Sequence, residues 1–205
     1  MTEHQNSPNP SLRYKQIGID PLSIDEEKGI VSAWVSVFDV KDYAGDRTIY
    51  GKTFSSQIKD GPLPYVVWMH QWDKPIGKTL SWEEVPPGDQ RLPENIKQFG
   101  GLLATMQFNL EKQAGKDAFS DIKGGFVKEY SYGYEVVNES KNMEKGTNDL
   151  LEVKVMELSP VLLGCNPLTS TDSVKSAPLD NEEPQPVYTR QDLDVDLIRS
   201  RFSRG

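Results

Sequence analysis

Residues 126–137 read Phe-Val-Lys-Glu-Tyr-Ser-Tyr-Gly-Tyr-Glu-Val-Val. Taken as a strand, the stretch divides between two faces, because successive side chains alternate. Tyr130, Tyr132 and Tyr134 share one face, and Ser131, Gly133 and Glu135 share the other. Aromatic and β-branched residues favour strands, and three rings on one side describe a core face. The small Gly133 leaves space beside Ser131 for another backbone to approach. For this stretch alone, the plainer reading is an ordinary strand serine over a tyrosine-packed core.

Working upstream, residues 112–123 change period. Ala114, Ala118, Phe119 and Ile122 fall on one helical face, and Gly124-Gly125 supplies a stop. Strands are expected over 100–110, 76–84 and 65–69, the last entered from the turn Gly61-Pro-Leu-Pro64 and ending at His70. A short helix is expected over 53–59, with Phe54 and Ile58 one turn apart. Residues 39–51 and 86–93 read as loops. Gly29-Ile-Val-Ser-Ala-Trp-Val-Ser-Val-Phe38 reads as a buried strand, and another is expected over 14–19. Downstream, 139–149 is a polar, hairpin-like connection. The last strand covers 150–163, bent at Pro160. The sum is a mainly β (α+β) domain: a closed or nearly closed antiparallel β-barrel of about seven strands with a few surrounding helices. Closure would remove exposed sheet edges.

This folded domain is expected over 14–167. Residues 1–13, rich in Asn, Ser and Pro, read as a flexible arm. Residues 168–205 read as a flexible linker and tail, with prolines 178, 184 and 186 among Ser, Asp and Glu. A short helix over 189–202 is suggested by Thr189-x-x-Asp192 and by Leu193, Leu197, Ile198 and Phe202 on one face.

The 205 residues carry a net charge of -8, with a pI near 4.9 and a mean hydropathy of -0.58. An acidic chain is poorly suited to non-specific phosphate binding, so no specific nucleic-acid role is expected. The N-terminal residues have no apolar signal core. No apolar run approaches the ~20 residues of a membrane helix, so no membrane association is expected. The single cysteine, Cys165, allows no internal disulfide and no CxxC metal site. No cofactor or metal is expected.

The sequence lacks GxSxG, HExxH, a Walker loop and Rossmann glycines. Of two histidines, His4 lies in the arm. Histidine chemistry must therefore use His70, at a strand end between Trp68 and Trp72. The bland alternative is a half-buried histidine between indoles. Glu157, among Val155, Met156, Leu158 and Val161, would share a face with Val155 and Ser159 at period two. A carboxylate buried on such a strand needs a partner, and a histidine is a good one. A solvent-facing glutamate fits the pattern equally well.

Together these segments resemble the prohead maturation proteases of tailed phages. The matches run in order: Ala33-Trp-Val-Ser-Val-Phe-Asp39 with Gly45-Asp46, Val67-Trp-Met-His70 with Pro75-Ile-Gly77, and Gly101-Leu-Leu-Ala-Thr105. Then come Tyr130-Ser-Tyr-Gly-Tyr134 and Met156-Glu-Leu-Ser-Pro-Val161 with Asn166-Pro167. The resemblance implies a fold related to the herpesvirus assemblins. It implies a serine endopeptidase with Ser131 as nucleophile, His70 as general base and Glu157 as third member. The implied substrates are the major capsid protein or its scaffold segment and the protease itself, cut inside the immature capsid in the host cytoplasm. A homodimer is compatible with it. The exposed linker between about Ser170 and Tyr188 is the expected self-cleavage region. Three departures stand out: Cys165 for the usual Ala, a small insertion over 86–98, and Tyr132 for a smaller aliphatic residue, which bears on packing under the nucleophile. A non-catalytic capsid-assembly or scaffold protein and a β-barrel with an aromatic peptide groove are the competing readings.

Overall fold

The computed structural model describes residues 13–18, 22–42 and 44–162, with side chains from residue 22 onward. The arm up to residue 12, the tail 168–205 with its expected helix, and Cys165-Asn166-Pro167 lie outside the described residues.

The strands are β1 (Arg13–Gly18), β2 (Ser23–Asp25), β3 (Ile30–Val37), β4 (Asp46–Thr48), β5 (Tyr65–Trp68), β6 (Gln71–Val85), β7 (Gly101–Phe108), β8 (Glu129–Asn142) and β9 (Thr147–Val161). The helices are α1 (Ser55–Asp60) and α2 (Gln113–Lys123). All nine strands join one sheet, in the order β1-β8-β9-β5-β6-β7-β3-β2, with β4 also on β9. The mainly β expectation holds. Two of its details change. Among the described residues the sheet has nine strands rather than about seven, and it is mixed, because β4 and β5 both run parallel to β9. Among the described residues the hydrogen-bonded ladder is open rather than closed.

The parallel pairings follow from connectivity. Only a non-hairpin connection lets two strands run parallel beside a third. Here β4, α1 and β5 are laid end to end along one edge of β9. β4 pairs with its start (Arg47↔Asp149) and β5 with its end (Tyr65↔Glu157). α1 fills the gap, where β9 has no strand partner on that side. The buried Gln57 amide supplies the missing ladder bonds: Val155 N–H donates to Gln57 Oε1 (2.7 Å), and Gln57 Nε2 donates to Val155 O (2.9 Å). One side chain thus satisfies both backbone groups that burial would otherwise strand.

The core lies under β8 and β9. Tyr130, Tyr132 and Tyr134 are fully buried, as alternation demands. Tyr132 meets Phe54 edge-on at 5.5 Å, and its hydroxyl lies 3.4 Å from Ser36 Oγ. The large ring at 132 is therefore accommodated by an aromatic partner. In α2 the inward face is Gly115, Ala118, Phe119 and Ile122; Ala114, expected on that face, is exposed. Gly115 is required there, because a Cβ would sit 2.1 Å from Asn109 O. The loop after β6 tucks Leu92 and Ile96 into the core, so the 86–98 segment is packed.

Two polar stretches are more ordered than expected. Residues 39–51 contain β4 and bury Asp42, Asp46, Arg47 and Thr48. Residues 139–149 are mostly strand, since β8 and β9 pair out to Asn142↔Thr147. Arg47 explains both. Its Nε and Nη2 grip the two oxygens of Asp149 (2.8 and 2.5 Å), and Nη1 reaches Asp39 (3.2 Å). Asn142 and Thr147 also donate to Asp149. The guanidinium's hydrogen bonds hold the Asp149 carboxyl well below the usual carboxylate range, against a smaller opposing effect of burial.

Candidate active site

The geometry of the candidate site begins with a fault in the β8–β9 ladder. Gly133 pairs with Glu157, but Tyr134 pairs with Val155, so Met156 is an extra residue on β9. This β-bulge shifts the phase of alternation. Val155 turns into the core, contrary to the period-two expectation, whereas Glu157 and Ser159 take the opposite face. Ser131 pairs with Ser159 on that same face. Cα atoms directly opposite in an antiparallel pair are about 4.5–5.5 Å apart, so Ser131 sits one ladder step from the Glu157–Ser159 pair.

His70 reaches this face from a two-residue hairpin. β5 and β6 pair through Trp68↔Gln71, leaving Met69 and His70 as the connection. Both have positive φ (47° and 62°). Such turns favour Asn-Gly, and a side chain in this region costs about 1–2 kcal/mol per residue. The turn is tied to β9 by two bonds: Met69 N–H to Pro160 O (3.4 Å) and His70 N–H to Ser159 Oγ (3.1 Å). Strain held in place by neighbouring structure is common at functional sites.

The imidazole lies against the carboxylate, with His70 Nδ1 2.7 Å from Glu157 Oε1. Ser159 Oγ donates to Glu157 Oε2. An ionised carboxylate only accepts, so Nδ1 carries the proton in this contact. In the neutral ring with Nδ1 protonated, Nε2 is the nitrogen that carries the basic lone pair. Ser131, Glu157 and Ser159 are fully buried, while the His70 side chain is 18 % exposed. The histidine is thus the member of the cluster that meets solvent. A separate cavity of roughly 640 Å³, lined by residues including Lys28, Lys78, Phe108 and Lys112, holds none of these residues.

The sequence-predicted residues are thus brought to one face of the β8–β9 ladder and the turn beside it. Sequence reasoning placed Ser159 beside Glu157 but gave it no role, and it did not find the left-handed turn. A non-glycine pair in a two-residue hairpin has no signature short of the structure. The tyrosines do not form a groove. Burial pushes the Tyr130, Tyr132 and Tyr134 phenols above their usual range, and all three are core residues.

A strand serine beside an imidazole–carboxylate pair has the makings of a serine peptidase. The chain belongs to the caudovirus prohead serine protease family, whose model matches residues 19–183. It is accordingly a phage capsid maturation protease and a serine endopeptidase. Among solved structures it is similar to the bacteriophage T4 capsid assembly protease, with TM-score 0.47 and 10% identity over 74% of this chain and 99% of that one. No curated protein sequence matches the chain.

Proposed function

We propose that Ser131 is the nucleophile, His70 its general base, and Glu157 the carboxylate that orients the imidazole. The observation that carries this reading is the 2.7 Å contact between His70 Nδ1 and Glu157 Oε1, one ladder step from Ser131. His70 Nε2 takes the Ser131 hydroxyl proton as Oγ attacks a peptide carbonyl. It then protonates the departing amine, leaving an acyl-enzyme. Water, deprotonated by the same nitrogen, releases the acid and restores Ser131. Glu157 keeps Nδ1 protonated and stabilises the imidazolium between these steps.

The substrates on this reading are the major capsid protein or its scaffold segment, and the enzyme's own tail between about Ser170 and Tyr188. The work is done inside the prohead in the host cytoplasm. Among the described residues no helix is long and apolar enough to cross a membrane. β4 is read as the closing element of a nearly closed barrel. It pairs with β9, and Asp39 N–H after β3 donates to Thr48 O at 2.8 Å.

The test is co-expression with the capsid protein of the same phage, followed by intact mass of both proteins. Wild type should shorten the capsid protein and lose its own tail, and Ser131→Ala should leave both at full length. Cleavage by Ser131→Ala at the wild-type rate would refute the assignment.

A further inference from the structure

The catalytic reading uses three side chains, but the buried cluster contains a fourth. Ser159 is fully buried, and its hydroxyl is engaged both as a donor and as an acceptor. It accepts the His70 backbone N–H at 3.1 Å and donates to Glu157 Oε2. It also faces Ser131 across the ladder. A hydroxyl committed in this way is poorly placed to be a nucleophile. Instead it joins the two ends of one contact, because Glu157 holds the ring of His70 and Ser159 holds its backbone. The His70 turn has positive φ at two consecutive non-glycine residues, so it needs such anchors to persist.

We propose that Ser159 is a positioning residue of this protease, locking the left-handed Met69–His70 turn and the Glu157 carboxylate into one register. This rests on the assignment of His70 and Glu157 to the catalytic site. Its hydroxyl keeps Oε2 occupied, so Oε1 alone faces Nδ1. It also fixes the height of the turn, so that Nε2 is presented at one place. Met69 N–H still bonds to Pro160 O, so losing the hydroxyl should loosen the site without unfolding the turn.

Two substitutions separate hydrogen bonding from packing. Ser159→Cys nearly keeps the volume but replaces the hydroxyl with a weak donor and acceptor. Ser159→Thr keeps the hydroxyl and adds a methyl group. Two readouts are taken on the full-length protein. One is the rate of Ser131 acylation by a fluorophosphonate probe. The other is the downfield proton resonance of His70 Nδ1–H, which needs no turnover. A displacement near 1 Å at a reacting centre costs about 10²-fold in rate. The expected result is that Ser159→Cys slows acylation by about that factor and broadens the His70 resonance, while Ser159→Thr stays close to wild type in both. A wild-type resonance and rate in Ser159→Cys would overturn the proposal, as would a greater loss in Ser159→Thr than in Ser159→Cys. If the probe fails to label wild type at Ser131, the nucleophile assignment is what fails, and the resonance still decides the role of Ser159.

Discussion

Strand β9 carries two buried carboxylates, one near each end, and each is met by a basic side chain delivered from the same edge. Asp149 is gripped by Arg47 from β4, and Glu157 is met by His70 from the turn after β5. The architecture is the same, but the partner differs. A guanidinium keeps its proton at any working pH, binds through a two-pronged fork, and makes a permanent clamp. An imidazole gains and loses a proton near neutrality and makes a contact that can take part in chemistry. Among the described residues the clamp end has one positive-φ non-glycine residue, Asp39, while the His70 end has two in succession. One end of the strand secures the sheet, and the other holds a strained turn beside the proposed nucleophile, Ser131.

That contrast predicts different responses to mutation. The largest effects belong to the catalytic end. Ser131→Ala or His70→Ala should lower capsid-protein cleavage by about 10⁶-fold, as for paired members of other serine peptidase sites. Glu157→Gln should cost about 10⁴-fold, because the amide no longer enforces the Nδ1–H tautomer. Each is read from initial cleavage rates, with little change expected in the urea midpoint of Ser131→Ala. A Glu157→Gln enzyme of wild-type rate would remove the orienting role.

The clamp end should behave in the opposite way. Arg47→Ala leaves Asp149 without its main partner in a largely buried setting and should cost about 3 kcal/mol of stability. It should leave the rate per folded molecule nearly unchanged. Urea unfolding and active-site titration on one preparation would check both halves. Between the ends, Gln57→Ala leaves the N–H and C=O of Val155 without partners. About 1–3 kcal/mol is expected for a stranded group, measured as a lowered urea midpoint.

The smallest effect concerns acid. Asp149 has a folded pKa depressed below the ~3.9 of a free aspartate. Its stabilising contribution is therefore complete above that value and is lost as pH falls through the folded value. Stability measured by urea unfolding from pH 5 downwards should fall less steeply in Arg47→Ala than in wild type. Equal slopes would mean that other carboxylates dominate the acid response.

Much of this was legible in the sequence, and the exceptions share a cause. Alternation disclosed β3, β8 and the tyrosine core face, and the helical period disclosed α2. His70 and Ser131 stood out because histidine was scarce and Gly133 lay beside the serine. Strand phase failed at Met156, since a bulge adds one residue without any compositional mark. The loop reading of 39–51 missed β4, because its polar residues are buried. Arg47 and Asp149 are 102 positions apart, so only the fold could reveal that each buries the other. Ser159 was missed because its two partners, the His70 backbone and Glu157, meet only when the turn docks on β9. Local periodicity reports faces, whereas bulges, clamps and bridging hydroxyls depend on pairing between distant segments.

The most direct test of the central claim is peptide mapping after reaction with a fluorophosphonate probe, on wild type beside His70→Ala. The account predicts an adduct on the peptide containing Ser131 in wild type and almost none in His70→Ala. An adduct at Ser159 instead, or equal labelling of Ser131 in both proteins, would contradict it.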